Sequence, residues 1–137
     1  MPRHVVAPAH EIPPGTRRRV EVRGHGVVIF NLDGAFHALL DRCPHMGGRL
    51  SDGVQTGLVE SDRPGEYRWS RPGEIIRCPW HAWEFDIRTG RFRCEPDRFR
   101  VRTVPACVLS GEAVAAEGLD ATTVPVTVED AYLVVEL

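Results

Sequence analysis

Cys43-Pro44-His45-Met46-Gly47-Gly48 and Cys78-Pro79-Trp80-His81-Ala82-Trp83-Glu84-Phe85-Asp86 are the two stretches around which the chain is organised. Each offers one soft thiolate and one imidazole, close enough together to grip a single metal centre. Two thiolates and two imidazoles suit either tetrahedral zinc or a mixed-ligand [2Fe–2S] cluster. Zinc fingers and ribbons usually take their ligands as C-x2-C or H-x3-5-H pairs of like type. Here each pair is mixed, thiolate first and imidazole second, and the two pairs match. That repetition fits a diiron cluster in which one iron takes both thiolates and the other both histidines. Pro44 and Pro79 restrict the cysteine before each of them to extended backbone. Gly47-Gly48 permits a sharp loop whose N–H groups can approach a cofactor. The run after His81 is apolar enough to wall that cofactor off from water.

Outward from these stretches the chain reads as short strands. Val27-Val28-Ile29-Phe30-Asn31-Leu32 and Ala35 to Asp41 flank Asp33-Gly34, the residues a tight type I′ hairpin requires. Val20-Glu21-Val22 alternates before that hairpin, and Val54 to Glu60 is a further strand after the first ligand stretch. Ser61 to Gly73 breaks the rhythm and reads as a solvated surface hairpin. Within it Tyr67 and Trp69 share a strand face, and packing against the body of the domain is their plainer expected role. Ile75-Ile76-Arg77 leads into the second ligand stretch. Trp83 to Ile87 and Arg91 to Arg93 are expected as strands joined by Arg88-Thr89-Gly90, with Asp86 accepting from that turn's backbone. Arg98 to Val104 alternates as another strand. Ala106 to Thr123 holds a weak helix near Glu112 to Glu117. Val124 to Val128 and Tyr132 to Val135 are expected to close the chain as a hairpin across Glu129-Asp130-Ala131. The fold class is all-β, a small sandwich or barrel.

Composition bounds the possibilities. The 137 residues imply one domain, 42% of them hydrophobic and 26% charged, with 13 Gly and 11 Pro to divide the strands. A formal net charge of −2 gives no reason to expect nucleic acid or a membrane as partner. Every basic residue is Arg, from which no function follows. No apolar run is long enough to span a bilayer, and Met1-Pro2-Arg3-His4 does not open a signal-type segment. The cytoplasm is therefore the expected compartment, where a Cys/His cluster reads as a metal site rather than disulfides. Cys94 and Cys107 lie outside both stretches and read as small buried hydrophobes.

C-P-H-x-G-G and C-P-W-H-A-W-E-F-D closely resemble the two cluster-binding boxes of Rieske [2Fe–2S] proteins. The resemblance is nearest to soluble Rieske-type ferredoxins and to the Rieske domain of ring-hydroxylating oxygenases. It extends weakly from the Asp33-Gly34 hairpin to Val126-Thr127-Val128-Glu129-Asp130. It implies a β-sandwich base carrying a small cluster-binding subdomain, with one cluster per chain. It also implies that Cys43 and Cys78 bind the inner iron, and His45 and His81 the outer one. High-potential members join their two loops by a disulfide; the matching positions here are Gly48 and Trp80, which cannot form one. Hydroxyl donors of those members align with Trp83 and Phe85, which have no hydroxyl. The chain departs from the family in two inserts, about 61–73 and 106–123.

The function that follows is transfer of one electron. With two thiolates and two neutral imidazoles the formal charge of the site is zero when oxidised and −1 when reduced. An all-cysteine cluster would pass from −2 to −3, so histidine ligation eases reduction. The expected role is a ferredoxin component that takes electrons from a flavin reductase and feeds an oxygenase or another oxidoreductase. An iron–sulfur redox sensor or regulatory subunit is the alternative. Hydroxylation by the chain alone is not expected. A Rieske oxygenase needs a mononuclear iron held by two histidines and a carboxylate, and His4, His10, His25 and His37 form no D-x2-H-x4-H pattern.

Overall fold

The protein is described here from a computed structural model, covering every residue except Met1, Asp120 and Thr122. The chain divides into two compact units, Met1–Leu40 with Thr103–Leu137, and Asp41–Arg102. The first unit holds two antiparallel sheets. One orders β1 (Arg3–Pro8), β10 (Ala131–Glu136) and β9 (Ala106–Ser110). The other orders β2 (Arg17–Val22), β3 (His25–Leu32), β4 (Ala35–Leu40) and β8 (Thr103–Val104).

The expected hairpin forms between β3 and β4. Asp33 and Gly34 take φ of 55° and 97°, the pair of positive values that a type I′ turn needs. Asn31 sets the turn from below: its Oδ1 accepts from Gly34 N at 2.8 Å, and its Nδ2 donates to Ile12 O at 2.8 Å. Arg23 and Gly24 repeat the positive-φ pair between β2 and β3. Val22, Val27, Ile29, Ala38 and Val104 from one sheet then pack with Leu133 and Val135 from the other. This is a sandwich core.

The C-terminal half of this unit differs from the sequence expectation. Val124 to Val128 is not a strand. Pro125 has no N–H for a ladder, and Thr127 N donates to the Tyr132 hydroxyl at 2.7 Å instead. The partner beside β10 is β9, from the segment that reads as an insert. After β9, α1 (Gly111–Glu117) forms as expected. Its N-cap Ser110 accepts from Ala113 N, and Gly118 ends it in the left-handed conformation. Val114, Leu119, Ala121, Val124 and Val126 cover Val5, Tyr132 and Val134 on the outer face of the sheet. Strand β10 is therefore buried on both sides, which is why Tyr132 to Val135 is continuously apolar rather than alternating.

The second unit is built on one antiparallel sheet in the order β5 (Val54–Arg63), β6 (Glu66–Arg77) and β7 (Glu84–Asp86). Residues Arg71 to Glu74 bulge out opposite Gly57, between the pairs Thr56–Ile75 and Leu58–Ser70. The Arg71 guanidinium bonds Asp86 at 2.8 Å and Glu74 at 3.1 Å, and Arg88 bonds Glu74 at 2.7 Å. Arg88 first and Arg71 second hold the Glu74 carboxyl below its ordinary pKa, against the opposing effect of burial. These pairs tie the bulge to β7. Asp86 accepts from Arg88 N at 2.9 Å, as the turn chemistry predicts. The strands expected at Arg91 to Arg93 and Arg98 to Val104 shrink to the bridges Phe85–Phe92 and Arg91–Arg100, plus the short β8. Between them Arg93 to Asp97 turns through solvent. No helix among the described residues is long and apolar enough to cross a membrane.

Asn31→Ala removes two hydrogen bonds from a residue that is 4% exposed, leaving Ile12 O and Gly34 N without their partner. The expected cost is about 2–3 kcal/mol, read as a lower denaturation midpoint in urea with an unchanged slope.

Candidate metal centre

Both ligand loops emerge from one end of the β5–β6 ladder, where Val54 pairs with Arg77. The first loop is closed by Cys43 N to Gly48 O and Gly47 N to Cys43 O, both 2.8 Å. The second is closed by Cys78 N to Trp83 O at 2.7 Å. Within each loop the cysteine faces inward and the histidine outward. Cys43 and Cys78 are each 1% exposed, whereas His45 and His81 are exposed. His81 and Ala82 take φ of 66° and 58°, a left-handed conformation that costs a non-glycine residue roughly 1–2 kcal/mol. Ligand placement in the second loop is thus bought with backbone strain, and no residue type in the sequence signals it.

The four donors meet as like pairs. Cys43 and Cys78 are both buried and lie close enough for one thiol to act on the other's pKa. The rings of His45 and His81 lie 5.2 Å apart between centroids, with planes at 68°. This grouping suits two metal ions, one per pair, better than a single tetrahedral zinc. Burial pushes the Cys78 thiol above its ordinary pKa; the Trp80 backbone N–H draws it down, and the adjacent Cys43 adds to the rise. Two thiolates in a buried site would need compensating positive charge, which a ferric ion held by Cys43 and Cys78 would supply.

The first loop carries a further observation. A Cβ on Gly48 would lie 3.1 Å from both Cys78 Sγ and the Trp80 ring. Gly48 therefore keeps open the space between the loops. The Gly47 N–H donates to Cys43 O and so closes the loop on itself.

A profile of the Rieske [2Fe–2S] domain matches residues 3–105. The chain belongs to the Rieske [2Fe–2S] family. Among curated relatives, the 3-phenylpropionate/cinnamic acid dioxygenase ferredoxin subunit of Escherichia coli is 29% identical over 112 residues, covering 82% of this chain and 91% of the relative. The biphenyl dioxygenase ferredoxin subunit of Pseudomonas sp. (strain KKS102) is 33% identical over 90 residues, covering 63% of this chain and 69% of the relative. Among solved structures, the ferredoxin of carbazole 1,9a-dioxygenase from Nocardioides aromaticivorans IC177 shares the fold with a TM-score of 0.61 at 19% identity, and 97% of each chain is covered. The terminal oxygenase of carbazole 1,9a-dioxygenase from Novosphingobium sp. KA1 reaches 0.63 at 19% identity, but this chain spans only 30% of its length.

The cofactor of this Rieske domain is a [2Fe–2S] cluster, and the four paired donors fit it. The remaining histidines lie elsewhere: His4 on β1, His10 before β2, His25 at the start of β3 and His37 on β4. Cys94 and Cys107 are exposed, against the expectation of burial. Cys94 falls in the solvated turn after Phe92, and Cys107 lies at the surface of β9, where Arg3 donates to its sulfur at 3.6 Å.

Gly48→Val should lower iron and sulfide content per chain, because the added branches have no space beside Cys78. Ala82→Gly should raise the thermal midpoint of the loaded protein, since glycine relieves about 1 kcal/mol of left-handed strain while every donor stays in place.

Proposed function

We propose that Cys43 and Cys78 hold one iron of the cluster, His45 and His81 hold the other, and the chain carries single electrons to an oxygenase. The observation that supports this most is that the two imidazoles meet at the surface while both thiols are buried. When bound, the cluster supplies one-electron redox chemistry. The residues do the rest. The thiols anchor the site in the protein, and the exposed imidazole edges shorten the path to a docked partner. Met46 and Trp80, 52% and 51% exposed, give that partner apolar surface beside the histidines. Relatives named as dioxygenase ferredoxin subunits, matched over 91% of their length, support an oxygenase as acceptor. A flavin reductase is the proposed donor. Exposed free thiols at Cys94 and Cys107 suit a reducing cytoplasm.

The 61–73 insert extends the β5–β6 ladder away from the ligand loops and turns at Pro64-Gly65. Its two faces differ. Arg68 pairs with Asp62 and, at 3.3 Å, with Glu60 on one face. Val59, Tyr67 and Trp69 lie on the other, 45%, 73% and 59% exposed. The aromatic rings stay exposed instead of packing into the body as expected, with Trp69 lying across Gly57. The hairpin is ordered by its own charge pairs and by Arg93, which bonds Val59 O at 2.7 Å. Its aromatic face is a second contact for the oxygenase.

Purified anaerobically, the protein should be brown and hold two irons and two sulfides per chain. Cys43→Ser, His45→Ala, Cys78→Ser and His81→Ala should each abolish the colour, while Cys94→Ser and Cys107→Ser should not. A colourless protein with one zinc would end the proposal.

The midpoint potential should lie near the low end of the Rieske range, on the order of −150 mV rather than +300 mV. Phe85 is fully buried and offers no hydroxyl to the site, and Phe85→Tyr should raise the potential. Redox titration gives both values, and a wild-type potential well above zero would contradict the reasoning.

Tyr67→Ser with Trp69→Ser should leave cluster content and potential unchanged. Affinity for the oxygenase should fall about 10-fold, the ordinary cost of losing an aromatic anchor. Unchanged affinity would remove the hairpin from the interface.

A further inference from the structure

Trp83 occupies the middle of an aromatic stack. One face lies against the His45 imidazole, with centroids 4.0 Å apart and planes within 4° of parallel. The other lies against Phe92, at 4.1 Å and 9°. Phe99 meets it edge-on at 5.1 Å and 68°. Phe92 is itself fixed: it is 6% exposed, its N–H donates to Phe99 O at 3.0 Å, and it bridges to the fully buried Phe85. The plane of Trp83 is therefore set from behind by buried residues. Its front face meets the imidazole of a proposed iron ligand. His81 closes on the edge of that same imidazole.

We propose that Trp83 is a positioning residue for the cluster: it fixes the ring plane of His45 and keeps water off one face of it. A ligand held flat against an indole cannot turn about its bond to the metal, so its orientation at the iron is defined before an electron arrives. The cover also acts on the redox equilibrium. Reduction adds a negative charge to the site, water stabilises that charge, and an apolar cover withholds the stabilisation. Trp83 thus holds the potential down by excluding solvent, which is a separate effect from the lack of a hydroxyl donor at Phe85. This proposal rests on His45 being an iron ligand, and the experiment separates the two.

The test compares Trp83→Ala and Trp83→Phe in the loaded protein by redox titration and by electron paramagnetic resonance of the reduced state. Trp83→Ala should raise the midpoint potential by the equivalent of about a 5-fold change in the reduction equilibrium, roughly 40 mV at about 59 mV per tenfold for one electron. It should also broaden the resonance, as the His45 ring samples several orientations. Trp83→Phe keeps a flat ring on the imidazole and should restore both values to near wild type. Equal potentials and line widths in wild type and Trp83→Ala would overturn the proposal, as would a Trp83→Phe protein shifted as far as Trp83→Ala. If Trp83→Ala does not retain its cluster, Trp83→Leu replaces it. Leucine fills the space without a flat face, so its resonance should broaden relative to Trp83→Phe, and identical spectra would overturn the proposal. A His45→Ala protein that keeps a wild-type spectrum would refute the ligand assignment itself.

Discussion

In each ligand loop a thiol must face the interior while an imidazole two or three residues later faces solvent. The rest of the cluster-bearing unit depends on that reversal. A regular strand sends residues two apart to the same side, so a His at the second position after a Cys cannot turn outward from a continued strand. The chain solves this by leaving the ladder. Proline follows each cysteine, and a backbone hydrogen bond from the cysteine N–H closes each loop, at Gly48 O in the first and Trp83 O in the second. In the second loop the reversal also forces His81 and Ala82 into the left-handed region.

Such loops need a rigid support, and β5 with β6 provides it. The two strands enter and leave the site as a directly paired couple, so the loops cannot drift apart without breaking the ladder at Val54 and Arg77. Charge reinforces the frame where packing is thin. Glu84 joins Arg77 on β6 to Arg93 beyond β7, at 3.2 and 2.9 Å. Glu74 and Asp86 do the same for Arg71 and Arg88. Individually such surface pairs contribute little, but here each carboxylate holds elements distant in sequence. The aromatic group of Trp83, Phe85, Phe92 and Phe99 then fills the space behind the histidines, giving the site one solvent-facing side and one apolar side.

Much of this is legible in the sequence because the residues concerned have few alternative uses. Two matched Cys-His boxes offer four candidate donors, and Asp33-Gly34 states the turn that precedes them. The helix near Glu112 to Glu117 is legible in outline, and the structure adds its caps, Ser110 and Gly118. Legibility fails where tertiary context decides. Val124 to Val128 has the composition of a strand, yet Tyr132 takes the Thr127 N–H that a ladder would have used, and β9 supplies the partner instead. Cys94 and Cys107 are apolar by type but fall at exposed positions. Tyr67 and Trp69 share a face as alternation predicts, but periodicity does not say what that face meets. Gly48 is apparent as a glycine in a loop; that it clears space for Cys78 is visible only once the second loop is folded beside it.

The central claim is that one iron carries two thiolates and the other carries the imidazoles of His45 and His81. Protein labelled with 15N only in histidine, reduced and studied by pulsed electron–nuclear resonance, tests it most directly. The account predicts couplings from two directly bound histidine nitrogens, with both lost together with the cluster in His45→Ala or His81→Ala. A reduced cluster showing no strong histidine nitrogen coupling, or one unaffected by these substitutions, would contradict it.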